Sequence, residues 1–159
     1  MRAYITLLGR SVWALLNTYY AVLREQEYFP DKIRVLTEAS YEGRLDIALE
    51  GLGILSDAFG FSPEMVSETV GDSDFLGAGR KISGLVRELK GEGYSVALDV
   101  TPGRKILVAG ALVATAGIDL DHVFYLALDS LDDVAKPYAM IPFQRQTLQD
   151  LTSVPGVIP

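Results

Sequence analysis

The chain contains no cysteine, which removes disulfides, thiolate zinc sites and cysteine nucleophiles from consideration and fits an intracellular setting. Histidine is nearly absent as well. The single one, His122, opens an apolar run at what reads as the start of a strand, so no histidine base is expected where ligands bind and serine–histidine–acid catalysis is disfavoured. No apolar run approaches the roughly 20 residues that span a bilayer. The apolar amino terminus is broken by Gly9-Arg10-Ser11 too early for a signal peptide. A cytoplasmic protein with no membrane partner is therefore expected. Positive charge is scarce: 14 Lys and Arg stand against 21 Asp and Glu, for a formal charge of -7. That balance argues against a broad basic face for duplex DNA or long RNA. It leaves room for a small anion, which needs only a few local cations and inward-pointing N–H groups. Neither Gly-x-Gly-x-x-Gly nor Gly-x-x-x-x-Gly-Lys-Ser/Thr occurs, and no internal repeat or low-complexity segment is found.

What is present is enough apolar sequence for one core in 159 residues. Strand-like and helix-like segments alternate along it. Ala3–Leu8, Ile33–Thr37, Met65–Val70, Tyr94–Asp99 and His122–Leu128 read as strands, and Val12–Arg24, Tyr41–Phe59, Phe75–Lys90 and Ile106–Ala116 as helices. Beyond Asp133 the pattern weakens. Tyr138–Ile141 reads as a short edge strand, Gln144–Leu151 as a turn or two of helix, and Val154–Pro159 as a tail or linker. The alternation predicts an α/β, Rossmann-like, doubly wound and mainly parallel sheet with helices on both faces. Ligands of such sheets sit beyond the carboxyl ends of the strands, here Gly9–Ser11, Thr37–Tyr41, Gly71–Asp74, Asp99–Lys105 and Asp129–Asp133.

The sharpest feature is Asp99-Val100-Thr101-Pro102-Gly103-Arg104-Lys105, between an apolar strand and an apolar helix. Thr101 is placed to cap that helix and Pro102 to occupy its first turn. The N–H groups of Gly103, Arg104 and Lys105 would then face an anion, with Arg104 and Lys105 adding charge. The plainer alternative is a well-capped helix with two surface cations, but cations at a helix start oppose its dipole unless an anion is present. Gly9-Arg10-Ser11 offers a turn, a free cation and a cap after the first strand. Its alternative is an ordinary capped helix with an exposed arginine. Thr37-Glu38 lies where a Rossmann ribose site would place an acid. Gly77-Ala78-Gly79 follows no strand and reads as helix packing. Asp129, Asp132 and Asp133 read as an acidic turn rather than a magnesium site.

Asp99–Lys105 is similar to the Asp-x-Ser/Thr-x-x-x-Arg/Lys loop of the CRISPR-associated Rossmann-fold (CARF) sensor domains, and Leu7–Ser11 matches the turn after their first strand. By this resemblance residues 1–135 form a CARF-like domain and 136–159 a carboxy-terminal edge strand, short helix and tail. The family implies a homodimer in which paired loops bind a cyclic oligoadenylate, probed first as cyclic tetra-adenylate, within antiviral defence. Gly9, Arg10, Thr37, Asp99, Thr101, Gly103 and Arg104 would bind the ring. In a stand-alone ring nuclease, Ser11 and Lys105 would assist slow, metal-independent attack by a ribose hydroxyl. No metal, cofactor or duplex DNA partner is expected. The competing readings are a Rossmann-like enzyme using a mononucleotide or dinucleotide cofactor, which the incomplete glycine pattern disfavours, and a subunit that binds nothing.

Overall fold

A computed structural model describes residues 1–153. Six strands form one sheet in the order β3-β2-β1-β4-β5-β6. They are β1 (Arg2–Leu8), β2 (Lys32–Glu38), β3 (Glu64–Val70), β4 (Ser95–Asp99), β5 (His122–Leu128) and β6 (Gln146–Asp150). The first five are parallel and β6 runs antiparallel to β5. Helices α1 (Val12–Gln26) and α2 (Leu45–Ala58) cover one face, and α3 (Phe75–Gly91) and α4 (Lys105–Thr115) the other. The doubly wound reading from sequence is the observed architecture.

Strand β1 is central, so both of its faces are buried. Ala3, Ile5 and Leu7 point into the α3–α4 core, whereas Tyr4 and Leu8 point into the α1–α2 core. On β5 the same alternation sends Val123 to the α3–α4 side and Phe124 to the α1–α2 side. Helix α1 starts where Ser11 Oγ accepts from the Ala14 N–H at 3.1 Å, and α3 where Asp74 Oδ1 accepts from the Gly77 N–H at 2.8 Å. Gly79 serves packing, as expected. A Cβ there would stand 2.9 Å from the Gly110 carbonyl oxygen, so α3 and α4 approach through backbone.

Three segments differ from expectation. The predicted helix over 41–59 is preceded by a 3₁₀ segment, Ala39–Arg44, and becomes α-helical only at Leu45. Tyr138–Met140 is a 3₁₀ turn rather than a strand. Gln146–Asp150 is a strand rather than a helix, because unpaired β5 supplies a ladder that local propensity does not reveal. Leu148 packs into the core while Thr147 and Gln149 face out. The tail reading at 154–159 lies outside the described residues. None of the described helices is long and apolar enough to cross a membrane.

Candidate functional site

The order of strands reverses between β1 and β4, and the chain leaves them toward opposite faces. The gap above that switch point is a natural ligand crevice. A cleft of about 760 Å³ lies there, within the usual range for small-molecule sites. Its charged lining residues are Arg10, Arg104 and Lys105, and among the described residues no carboxylate lines it. In a chain of net charge -7 this is a local inversion of sign.

The two loops that carry these cations fit together through glycine. A Cβ on Gly9 would stand 2.6 Å from the Pro102 carbonyl oxygen and 3.3 Å from the Arg104 nitrogen. A Cβ on Gly103 would stand 2.7 Å from Leu7 Cδ1. A side chain at position 9 would push the two loops apart, and one at position 103 would crowd the Leu7 and Val108 side chains beneath the loop.

Beneath the loops, Asp99 is fully buried. Its Oδ2 accepts from the Tyr4 hydroxyl at 3.0 Å and the Thr6 hydroxyl at 2.9 Å, and its Oδ1 from the Thr101 N–H at 2.9 Å. Burial raises its pKa to about 6, against the lowering effect of these donors. Burial likewise raises the Tyr4 hydroxyl, helped by the neighbouring Asp99 charge.

The helix start differs from the sequence reading. Thr101 does not cap α4. Its Oγ accepts from the Leu126 N–H at 2.9 Å, tying the β4 loop to β5. Helix α4 opens at Lys105, with Arg104 in the cap position and no side-chain cap bond. Pro102 therefore precedes the helix by three residues rather than entering its first turn. The N–H groups left without helical partners are those of Lys105 and the two residues after it. The reason is competition: the hydroxyl satisfies a strand N–H, and capping is lost.

Of the residues singled out from sequence, Arg10, Ser11, Thr101, Gly103, Arg104 and Lys105 come together on the cleft. Gly9, Thr37 and Asp99 lie behind it. Thr37 is fully buried and donates to the Leu8 carbonyl oxygen at 3.1 Å. Glu38 is also fully buried; its Oε1 accepts from the Ser73 N–H at 2.7 Å and from Arg104 Nη1 at 3.1 Å. It steadies Arg104 instead of facing a ribose. Asp133 is turned inward to Lys136 at 2.6 Å and Arg145 at 3.1 Å. Among the described residues no metal-ligating group of three His, Asp or Glu forms. His122 sits at the far end of β5, bonded through Nδ1 to Asp150 Oδ2 at 2.7 Å.

Sequence reasoning missed the cleft's outer wall. Residues after β5 fold back over α1, where buried Asn17 donates to the Lys136 carbonyl oxygen at 2.8 Å and accepts from the Tyr138 N–H at 2.8 Å. That clamp brings Leu131 and Val134 to the cleft, with Tyr41 and Tyr125 also lining it. An amide at position 17, between the apolar residues Leu15 and Tyr19 that helix α1 buries, was the available signal.

A switch-point cleft with cationic lining defines the class: a Rossmann-like domain with a cation-lined crevice at the carboxyl edge of its sheet. No family model and no curated protein matches the sequence. Solved structures do match. Can2 from Sulfobacillus thermosulfidooxidans, in complex with cyclic tetra-adenylate, superposes with a TM-score of 0.58 at 15% identity, over 79% of this chain and 32% of its own. A type III CRISPR defence DNA nuclease activated by cyclic oligoadenylate gives 0.60 at 19%, over 80% and 19%. Enterococcus italicus Csm6, bound to cyclic hexa-2'-fluoro-hexa-dAMP, gives 0.59 at 15%, over 86% and 35%. These are CARF-domain CRISPR proteins, so the chain has the fold implied by the resemblance of its loops. The matched region spans about a fifth to a third of their lengths. At these identities the likeness is one of fold.

Proposed function

We propose that the chain is a cyclic oligoadenylate sensor domain, with its ligand held in the cleft between the β1–α1 and β4–α4 loops. The observation that carries this reading is the cleft's lining in an acidic chain: three cations, one of them paired with Glu38 behind it, and among the described residues no carboxylate. Phosphates would meet Arg10, Lys105 and the uncapped start of α4, while Arg104 is steadied by Glu38. The fold shared with proteins solved with such ligands supports the same reading. Two copies around a two-fold axis would present the same groups to both halves of one ring. A ring of four adenylates is the first ligand to test.

The reading extends to slow opening of the ring. A ribose 2′-hydroxyl attacks the adjacent phosphorus, the 5′-oxygen leaves and takes up the proton, and the product carries a 2′,3′-cyclic phosphate and a 5′-hydroxyl. Ser11 Oγ, which already accepts from the Ala14 N–H, retains a lone pair to orient the attacking hydroxyl. Lys105 and Arg10 stabilise charge on the phosphoryl oxygens. With no histidine or carboxylate among the described residues on the cleft to move the proton, turnover is slow.

Calorimetry with cyclic tetra- and hexa-adenylate tests the sensor, and size determination with and without ring tests the dimer. Lys105→Ala should weaken binding by about 10-fold or more, as loss of a charge-assisted contact does. Failure of either ring to bind the native protein would end this reading. Product analysis tests cleavage, which should proceed unchanged in EDTA.

A further inference from the structure

We propose that Tyr41 and Tyr125 are the base-stacking platforms of the cleft, one on each side of its cations, so that each chain grips two linked nucleotides of the ring. This deepens the sensor reading and rests on it.

The observation is a contrast among aromatic side chains. Most are paired with each other inside the protein: Tyr4 with Tyr19, Tyr20 with Phe59 and Tyr138, Tyr28 with Phe124 and the His122 ring. Trp13, Tyr41, Phe75, Tyr94, Tyr125 and Phe143 join no such pair among the described residues, and of these Tyr41 and Tyr125 are the two that line the cleft. Tyr125 lies on the same side of β5 as Val123, which is buried in the α3–α4 core, yet it is 41% exposed. An aliphatic residue would suit a covered strand position; a large planar ring left open toward a cleft suits a planar ligand.

Placement supplies the second part. Strands β2 and β5 flank the β1–β4 pair, and at about 4.8 Å per strand they lie roughly 14 Å apart. Tyr41 follows β2 in the 3₁₀ segment, and Tyr125 belongs to β5. Arg10, from the β1 loop, and Arg104 and Lys105, from the β4 loop, come between them in the order of strands. Two bases splayed either side of a linking phosphate fit this order, with the phosphate on the cations and a base on each tyrosine. On the Tyr125 side, the exposed side chain of Leu131 and that of Val134 add an apolar wall.

The test is a binding series with cyclic tetra-adenylate and the linear dinucleotide ApA, each also carrying 2-aminopurine in place of one adenine. Native protein, Y125A, Y125F, Y125L, Y41A and K105A are compared, with melting curves to establish that each is folded. Stacking is worth about 5- to 150-fold per base. Y125A, Y125L and Y41A should therefore weaken binding within that range and restore aminopurine fluorescence, while Y125F binds like the native protein. Y125L keeps an apolar packing partner but no π face, so its loss separates stacking from folding. If K105A loses binding while Y125A, Y125L and Y41A bind as the native protein does, the platforms are refuted and the sensor reading stands. If the native protein binds neither ligand, both fall together.

Discussion

The carboxyl of Asp99 is the most sharply perturbed acid beneath the cleft, and replacing it with asparagine isolates the cost of burying its charge. Burial raises its pKa from the ordinary 3.8 to about 6 although three donors surround it. That rise corresponds to about 3 kcal/mol. Between these two values the folded chain keeps a proton that the unfolded chain has released. The stabilising contribution is thus complete below about pH 4 and is lost as pH rises through about 6. The amide of the D99N protein would be neutral at every pH and would offer one acceptor oxygen to the same three donors, at a cost of about 1–3 kcal/mol for a donor left unpaired. Urea unfolding of both proteins, followed by circular dichroism in dilute solution from pH 4 to pH 7.5, measures the difference. Dilution is needed because the pI lies near 4.6. The native protein's advantage over D99N should shrink by about 2–3 kcal/mol across that range. A constant gap, or one that widens with pH, would show that the donors outweigh desolvation and would refute the reasoning.

Gly9→Ala should cost about 1–3 kcal/mol in denaturant unfolding, because its Cβ meets backbone atoms of the facing loop that cannot rotate away, and it should weaken ring binding as well. Arg104→Ala should lower both stability and affinity, since Glu38 is left buried without its cation, at about 1–3 kcal/mol in unfolding. Lys105→Ala, an exposed position, should lower affinity alone; comparing melting and binding for the pair checks the distinction. Lys136 and Arg145 hold the Asp133 carboxyl below the usual range, so its contribution is present above that range and fades as pH falls through it. Asp133→Asn should melt below the native protein at pH 7, with the gap closing toward pH 3.

The layered sheet and the loops at its carboxyl edge were legible from alternation alone, because a parallel strand buried on both faces must be apolar throughout and must be followed by a covering helix. Arg10, Ser11, Arg104 and Lys105 were legible for a related reason: polar residues immediately after such strands can only stand at that edge. What the chain does after β5 was not legible. Gln146–Asp150 is a strand because β5 offers an open ladder, and Tyr138–Met140 turns because Asn17, more than a hundred residues earlier, holds its backbone. Thr101 illustrates the limit most clearly. Local sequence makes it a helix cap, and only the neighbouring strand, with an N–H at Leu126 to satisfy, draws its hydroxyl elsewhere. Sequence by itself determined which residues reach the ligand edge, since periodicity and turn chemistry are local. The tertiary structure decided which of them face the cleft and which lie behind it, because burial and hydrogen-bond competition depend on groups distant along the chain.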